Sequence, residues 1–524
     1  MKPTGTRTTR LFPGFNQKIR TFSIVREMVK IIPAKVMLIL LIGLVISCQS
    51  NKKAAVEREV SQPNVLFIAI DDLNNWLGCM DGHPNAHTPH MDALAAEGVL
   101  FTNAHCQAPL CGPSRASLMT GLRPSTTGIY GMIGDNMIKE DNPATSDILY
   151  IPEYFRKEGY LTMGVGKLFH SFAPDGAFDE SGGREKGFGP LPEKRFVWDG
   201  YGSSDRENYG RTSTDWGAFP ESDSMMPDYR SADWAIERLS RNFDQPFFLA
   251  VGFLRPHVPL YAPQKWFDLH PLDGLELTPY NPDDLDDVPP VAHLINDLPM
   301  MPTTEWAIQS GEWKHIIQAY LACVSFVDHQ VGRVLKALSE SKYANNTVIV
   351  LWSDHGYRLG EKGTFAKHAL WEEATNAPLI FSAPGLPHGK VIDSPAEMLS
   401  IYPTLLELCQ LPAYDRNEGI SLVSLMNNQG NGALHALTTF GKDNHGLRTP
   451  RYRYIRYEDG GEELYDRDRD PNEWTNIADL PENEVLKEDL RKLLPPHNAR
   501  WNVHSDYKFQ PYFVEQKART NSEE

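Results

Sequence analysis

The chain has 524 residues, 41% apolar and 23% charged, so it can bury a large core and is not broadly disordered. Lys+Arg is 51 against 68 for Asp+Glu, a formal net charge of −17, which excludes a general nucleic-acid binder because that needs a basic footprint. An anionic substrate stays compatible, since one pocket can focus positive charge on an acidic protein, and six cysteines are too few for a disulfide framework.

Residues 1 to 35 are rich in Lys and Arg and hold one acid, Glu27. An apolar run from Val36 to Ile46 follows and ends in Ser47-Cys48. A basic region, a short apolar region and a small residue before the cut describe a secretory signal. The run is short for a membrane span. Val45-Ile-Ser-Cys48 resembles a bacterial lipobox, which makes Cys48 the lipidated first residue of an exported lipoprotein, periplasmic or held at the outer membrane or cell surface. The polar stretch to Gln62 reads as a tether.

Four short apolar runs then read as buried parallel strands, each followed at once by polar residues. Val65 to Ile70 leads into Asp71-Asp72, and Tyr160 to Val165 into Gly166-Lys167-Leu-Phe-His170. Phe247 to Val251 leads into Arg255-Pro-His257, and Thr347 to Trp352 into Ser353-Asp354-His355-Gly356. Helical spacing marks Ala232 to Phe243, Trp313 to Ser341 and Met398 to Leu411. Strands alternating with helices predict an α/β fold with a large, mostly parallel central sheet covered on both faces. Its ligand site belongs beyond the carboxyl ends of the strands, where the charged clusters fall. Residues 171 to 230 and 268 to 305 carry no clear element and read as loops walling the pocket. Beyond Asn427, Tyr452 to Tyr457 alternates like a strand exposed on one face, Glu462 to Asp466 pairs with it, and a helix follows near Glu482 to Leu494. These predict a small antiparallel C-terminal subdomain.

The most specific string is Cys111-Gly-Pro-Ser-Arg115-Ala-Ser-Leu-Met-Thr120-Gly121. It resembles the signature of type I sulfatases, whose Cys is oxidised to formylglycine before folding. Asp71-Asp72, Gly166-Lys167 with His170, Pro256-His257, Asp354-His355-Gly356 and Ala366-Lys367 stand in that family's order. The Asp-His pair and the Gly-Lys-x-Phe-His string resemble the iduronate-2-sulfatase branch. The resemblance implies an alkaline-phosphatase-like fold, a sulfated saccharide substrate (glycosaminoglycan or algal ulvan) and a cytosolic maturase acting before export. The chain then divides into a signal at 1–48, a tether at 49–62, a catalytic domain at 63–427 and a C-terminal subdomain at 428–524.

Chemistry supports those assignments. A hydrated aldehyde at position 111 would offer one hydroxyl to attack sulfur and a second whose deprotonation expels sulfate, so water need not attack a covalent intermediate. Asp71, Asp72, Asp354 and His355 would hold a metal beside residue 111, and three hard carboxylates suit Ca²⁺; His355 is the odd ligand. Arg115, four residues after Cys111, shares its helix face and would hold the hydrate. Lys167 and Lys367 would clamp sulfate oxygens. By the position it matches in the resembled family, His170 would take the nucleophile's proton, and His257 would protonate the leaving oxygen, as a histidine of near-neutral pKa can. His368 adjoins Lys367 and could reach substrate.

His83, His87, His90 and His105 crowd one segment without regular ligand spacing and read as loop packing. Cys323 and Cys409 lie on apolar helix patterns and read as buried thiols; Cys79 and Cys106 flank the catalytic loop and could pair. Two alternatives accompany the sulfatase reading: a phosphodiesterase or phosphonate monoester hydrolase of the same superfamily, and a non-catalytic surface glycan-binding lipoprotein.

Overall fold

The computed structural model describes residues 62–198, 214–429 and 435–522. The signal, Cys48 and tether residues 49–61 lie outside the described residues.

The central sheet is built from β1 (Asn64–Asp71), β2 (Val99–Phe101), β3 (Leu161–Gly166), β4 (Glu180–Gly183), β5 (Phe247–Pro256), β6 (Thr347–Ser353), β7 (Leu379–Ser382) and β8 (Lys390–Ile392). Its order is β8-β2-β7-β6-β1-β5-β3-β4. β7 alone pairs antiparallel with both its neighbours. The four strands read from sequence are the adjacent parallel set β6-β1-β5-β3 at the centre. Their apolar runs are continuous because both faces are covered. Leu66, Ile68 and Ile70 of β1 face one core; Val65, Phe67 and Ala69 face the other, the period-2 alternation of a strand.

The first core lies under α2 (Pro227–Leu239) and α3 (Trp313–Ser339). Ile316, Ile317, Tyr320, Val324, Val327, Val331 and Val334 of α3 are buried there, as their helical spacing requires. The second core takes α1 (Cys111–Thr120) and α4 (Ile401–Leu408). α2 starts five residues before the position read from spacing, with Pro227 at its first turn, a place where the missing N–H of proline is no loss. Met398–Ser400 is a separate 3-10 turn ahead of α4.

The C-terminal sheet has four antiparallel strands, β9 (Ala436–Thr439), β10 (His445–Arg448), β11 (Tyr452–Arg456) and β12 (Glu462–Asp466), in sequential order. Helices α5 (Glu484–Arg491) and α6 (Pro511–Ser522) follow. Buried ionic contacts tie this sheet to the segment after β6: Arg448 Nε lies 3.1 Å from Glu372 and Arg453 also pairs with Glu372, while Arg453 Nε lies 2.8 Å from Glu473, just beyond β12.

The two segments read as loops are not wholly irregular. The first holds β4, a short strand at Trp216–Ala218 and the start of α2; the second holds a helix at Pro290–Asn296. Cys79 and Cys106 are free thiols, so the pairing considered for them is not formed. Cys106 is buried, and burial together with Asp92 pushes the Cys79 thiol up to about 12. Cys323 and Cys409 are buried thiols, as expected. Among the described residues no helix is long and apolar enough to cross a membrane.

Candidate active site

The polar clusters that end β1, β3, β5 and β6 converge on Cys111, the first residue of α1. Two glycines allow the approach. A Cβ on Gly166 (φ +78°) would stand 1.9 Å from the Gly252 carbonyl, and one on Gly252 would stand 2.3 Å from the Lys167 backbone. Their absence lets β3 turn against β5 and send Lys167 back to β1. The Lys167 ammonium then lies 2.5 Å from Asp71 Oδ2.

Cys111 is fully buried. Its Sγ lies 3.2 Å from His355 Nε2, 3.4 Å from Lys367 Nζ and 3.7 Å from Asp72 Oδ1. Burial opposes ionisation of the thiol, but Lys167 and Lys367 together pull its pKa below the ordinary value. Lys367 Nζ also bridges both Asp72 oxygens at 2.7 and 2.8 Å. Asp72 itself is pushed up to about 7, chiefly by burial. His355 donates from Nδ1 to the Gly356 carbonyl at 2.9 Å, which aims Nε2 at Cys111, Asp72 and Asp354. Burial works against its charge, yet Asp354 and Cys111 prevail and push it to about 9.

Arg115 is bonded throughout. Its Nε donates to Asp354 at 2.8 Å; one terminal nitrogen donates to the Lys167 and Leu168 carbonyls and the other to the Ile70 carbonyl and Asp71. Those contacts match the five N–H groups of a guanidinium. Arg115 thus binds three strand ends and two carboxylates together beneath Cys111.

The two other histidines line the mouth. His257 donates from Nδ1 to Val258 O at 2.6 Å, leaving Nε2 3.9 Å from Asp72. Burial, then Lys367, holds its pKa well below the usual value, not near neutrality as the sequence reading supposed. His170 is lowered to about 3 by burial and Lys167. Its Nδ1 has no partner among the described residues. Asp135 accepts the backbone N–H groups of His170, Ser171 and Phe172 at 3.1, 2.6 and 2.9 Å and so fixes that loop.

These groups open onto a cavity of about 530 Å³ walled by His170, His257 and Lys367 on one side. Phe188 and Thr214 come from the first loop segment and Met300 and Met301 from the second, as expected of pocket walls. One stretch of wall was not anticipated, Asp506 to Phe509, near the end of the chain. Asp135, Phe188, Arg255 and Tyr507 were also missed; only Arg255, inside the quoted Arg-Pro-His string, carried a local signal. His83 packs against Trp76, ring centroids 4.2 Å apart, and His105 is buried between Asn103 and Thr375, both packing roles.

The donor set suits a hard cation. Asp71, Asp72, Cys111 and His257 present donor atoms within 4.8 Å of one another, and so do Cys111, Asp354 and His355. Three buried carboxylates in that space match oxygen-ligated Ca²⁺ better than a thiolate- or imidazole-rich zinc site. His257 was not in the expected ligand set.

A sulfatase family profile matches residues 63–411, and a profile for the C-terminal part of N-sulphoglucosamine sulphohydrolase matches residues 360–499. A sulfatase of Formosa agariphila is 64% identical over 487 residues, covering 92% of this chain and 96% of the relative. Human iduronate 2-sulfatase is 36% identical over 335 residues, covering 62% of this chain and 60% of its own length. A solved structure in complex with its substrate, D-glucosamine-2-N,6-O-disulfate, superposes with a TM-score of 0.63 at 22% identity, covering 83% of this chain and 97% of that one; this likeness shows the fold alone. The chain belongs to the sulfatase family and is a sulfuric ester hydrolase of alkaline-phosphatase-like fold.

Proposed function

We propose that the protein removes sulfate from a sulfated saccharide of glycosaminoglycan or ulvan type, in the manner of an iduronate 2-sulfatase. The observation that carries this reading is the seat of Cys111, buried between Lys367, Asp72 and His355, of which Lys367 also lines a sugar-sized cavity. The human relative's name supports a saccharide.

Conversion of Cys111 to formylglycine would supply, as its hydrate, the hydroxyl that attacks sulfur. Lys167 and Lys367 bring two buried ammonium groups to the anionic sulfate oxygens, where charge is neutralised without solvent reorganisation. Neutral His170, with Nδ1 open, takes a proton on the nucleophile side. His257 gives one to the departing alkoxide. Its resting pKa is low, and the negative charge of a bound sulfate ester raises it. Asp71, Asp72, Asp354 and His355, with residue 111, would hold Ca²⁺, which supplies Lewis-acid polarisation. Arg115 keeps the two flanking carboxylates in place.

The same reading makes residues 1–48 a lipoprotein signal with lipid on Cys48, an anchor at the cell envelope, and a cytosolic maturase that acts on Cys111 before export. Residues 63–427 form the catalytic domain and 428–524 the C-terminal subdomain that completes the pocket.

The test is sulfate release from 2-sulfated uronate-ended heparan and dermatan fragments, ulvan fragments and a matched phosphate ester. The protein is co-expressed with a maturase, supplied with calcium and checked by mass at position 111. Release from a saccharide, abolished by Cys111→Ala in a folded protein, is the expected result. Turnover by Cys111→Ala, or preference for the phosphate ester, would overturn it.

A further inference from the structure

Three residues that line the cavity each carry a buried polar atom with no hydrogen-bond partner among the described residues: His170 Nδ1, His368 Nδ1 and Tyr507 Oη. His170 already has a place in the chemistry. The other two do not. His368 is 7% and Tyr507 3% exposed, so bulk water satisfies neither side chain freely. A buried polar group without a partner is costly, and such groups are rare in native proteins.

The backbone tells the same story. His368 adopts φ +57°, a left-handed conformation unfavourable for a side chain with a Cβ. Strain of this kind collects at ligand sites, where the surrounding structure over-determines it. Here the His368 N–H is held by the Pro109 carbonyl at 3.2 Å, just ahead of Cys111. The imidazole is thereby set 5.6 Å, centroid to centroid, from the Tyr507 ring. The chain neighbour of His368 is Lys367, whose ammonium stands 3.4 Å from Cys111 Sγ.

Both groups are neutral. Burial, then Lys367, keeps the His368 imidazole well below its ordinary pKa, and burial raises the Tyr507 phenol beyond reach of physiological pH. A neutral nitrogen and a neutral phenol beside the sulfate seat do not suit a second anion. The nearby cations are engaged, Lys367 with Asp72 and Lys508 with Asp506 at 3.7 Å. An apolar group would leave both orphaned. A hydroxyl satisfies the pair in either imidazole tautomer, because it donates and accepts at once.

We infer that His368 and Tyr507 form a recognition pair for the free sugar hydroxyl nearest the sulfate ester. The pair makes this enzyme select a ring in which that hydroxyl is present and unsulfated. The inference rests on the saccharide-sulfatase reading and adds a determinant supplied jointly by the loop after β6 and the far C-terminal segment. Sites that hydrogen-bond a substrate hydroxyl reject analogues lacking it more sharply than apolar pockets reject a change of size.

The experiment uses the full chain converted at position 111. The probes are a 2-O-sulfated uronate-ended disaccharide and 4-nitrophenyl sulfate, which carries no hydroxyl. The variants are Tyr507→Phe and His368→Asn, the latter keeping a residue that tolerates the left-handed backbone. Each is expected to lower the ratio of kcat/KM for disaccharide over aryl sulfate at least tenfold. Tyr507→Phe is expected to melt at or above the wild-type temperature, since the hydroxyl it removes has no partner. An unchanged ratio, an equal loss on both probes, or a lower melting temperature for Tyr507→Phe would overturn the inference. So would a wild-type enzyme that cleaves the aryl sulfate and no saccharide. A wild-type enzyme that cleaves neither would overturn the reading beneath it.

Discussion

The ring of Phe188 lies flat on the imidazole of His257, with centroids 4.1 Å apart and planes within 1°. One guanidinium holds both. Arg255 donates to the His257 carbonyl at 3.0 Å, to the Phe188 carbonyl at 2.8 Å and to the Tyr261 carbonyl at 2.9 Å. Asp228, at the start of α2, fixes the Leu254 and Arg255 N–H groups in turn. The candidate acid is thus locked from its ring face and from its backbone. Phe188→Ala should free the imidazole and lower kcat by tenfold or more, since small misplacements of reacting groups are expensive. Phe188→Tyr should retain most activity. Steady-state kinetics on the best saccharide substrate decides it, and full activity in Phe188→Ala would show the stack idle.

Arg115 should matter for the fold as much as for turnover. Its removal leaves Asp71 and Asp354, both buried, with one cation fewer. Breaking a buried pair by deleting one partner costs roughly 3–5 kcal/mol. Arg115→Met should therefore lose several degrees of Tm as well as activity. An unchanged melting curve would remove the scaffold role.

The carboxylate cluster predicts a metal response that does not depend on turnover. Calcium should raise Tm and a chelator should lower it, by mass action on the native state. Asp354→Asn should abolish the shift. Because the ligands must be ionised and Asp72 is held up at about 7, the calcium effect should weaken as pH falls below neutrality. A calcium response identical in Asp354→Asn would place the ion elsewhere.

A second acid gives the fold a pH dependence of its own. Asp328, on α3, accepts the backbone N–H groups of His90 and Met91 at 2.8 to 3.2 Å. Burial pushes it up to about 7 from an ordinary value of 3.8. The native state therefore binds the extra proton between those values. Its contribution is greatest below the unfolded pKa and is lost as pH rises through 7, with a slope on the order of 1 kcal/mol per pH unit. Asp328→Asn should flatten that part of the stability–pH curve, measured by denaturant titration. A curve of unchanged shape would count against the assignment.

What the sequence disclosed was local. The strands β1, β3, β5 and β6 announced themselves because each is buried on both faces and so reads as an unbroken apolar run. Their terminal charges were legible for the same reason, as abrupt breaks. β4, spelled Glu-Ser-Gly-Gly, carries no apolar pattern at all, and β7 is only four residues long. Arg115 was found by its spacing from Cys111, but spacing on a helix gives a face, not a partner. Its bonds run to three other strand ends. The Phe188–His257 stack and the Tyr507 wall join residues far apart in the chain, so no periodicity could reveal them. The low pKa of His257 is likewise a product of burial and of Lys367, neither written beside it.

The depth of Cys111 has a consequence for timing. The residue is wholly enclosed, and Tyr507, which lines the neighbouring cavity together with Lys367, comes almost four hundred residues later. An enzyme that oxidises this thiol cannot reach it in the finished protein. On the maturase reading it would act before the chain folds, and on a nascent chain the window runs from the exit of residue 111 to the delivery of the last wall. At ordinary synthesis rates that interval lasts roughly 20 to 80 s. Fast folding of the central sheet would close it early, so a variant that folds more quickly could emerge less completely converted, and a slowed ribosome could yield a more active preparation from the same gene.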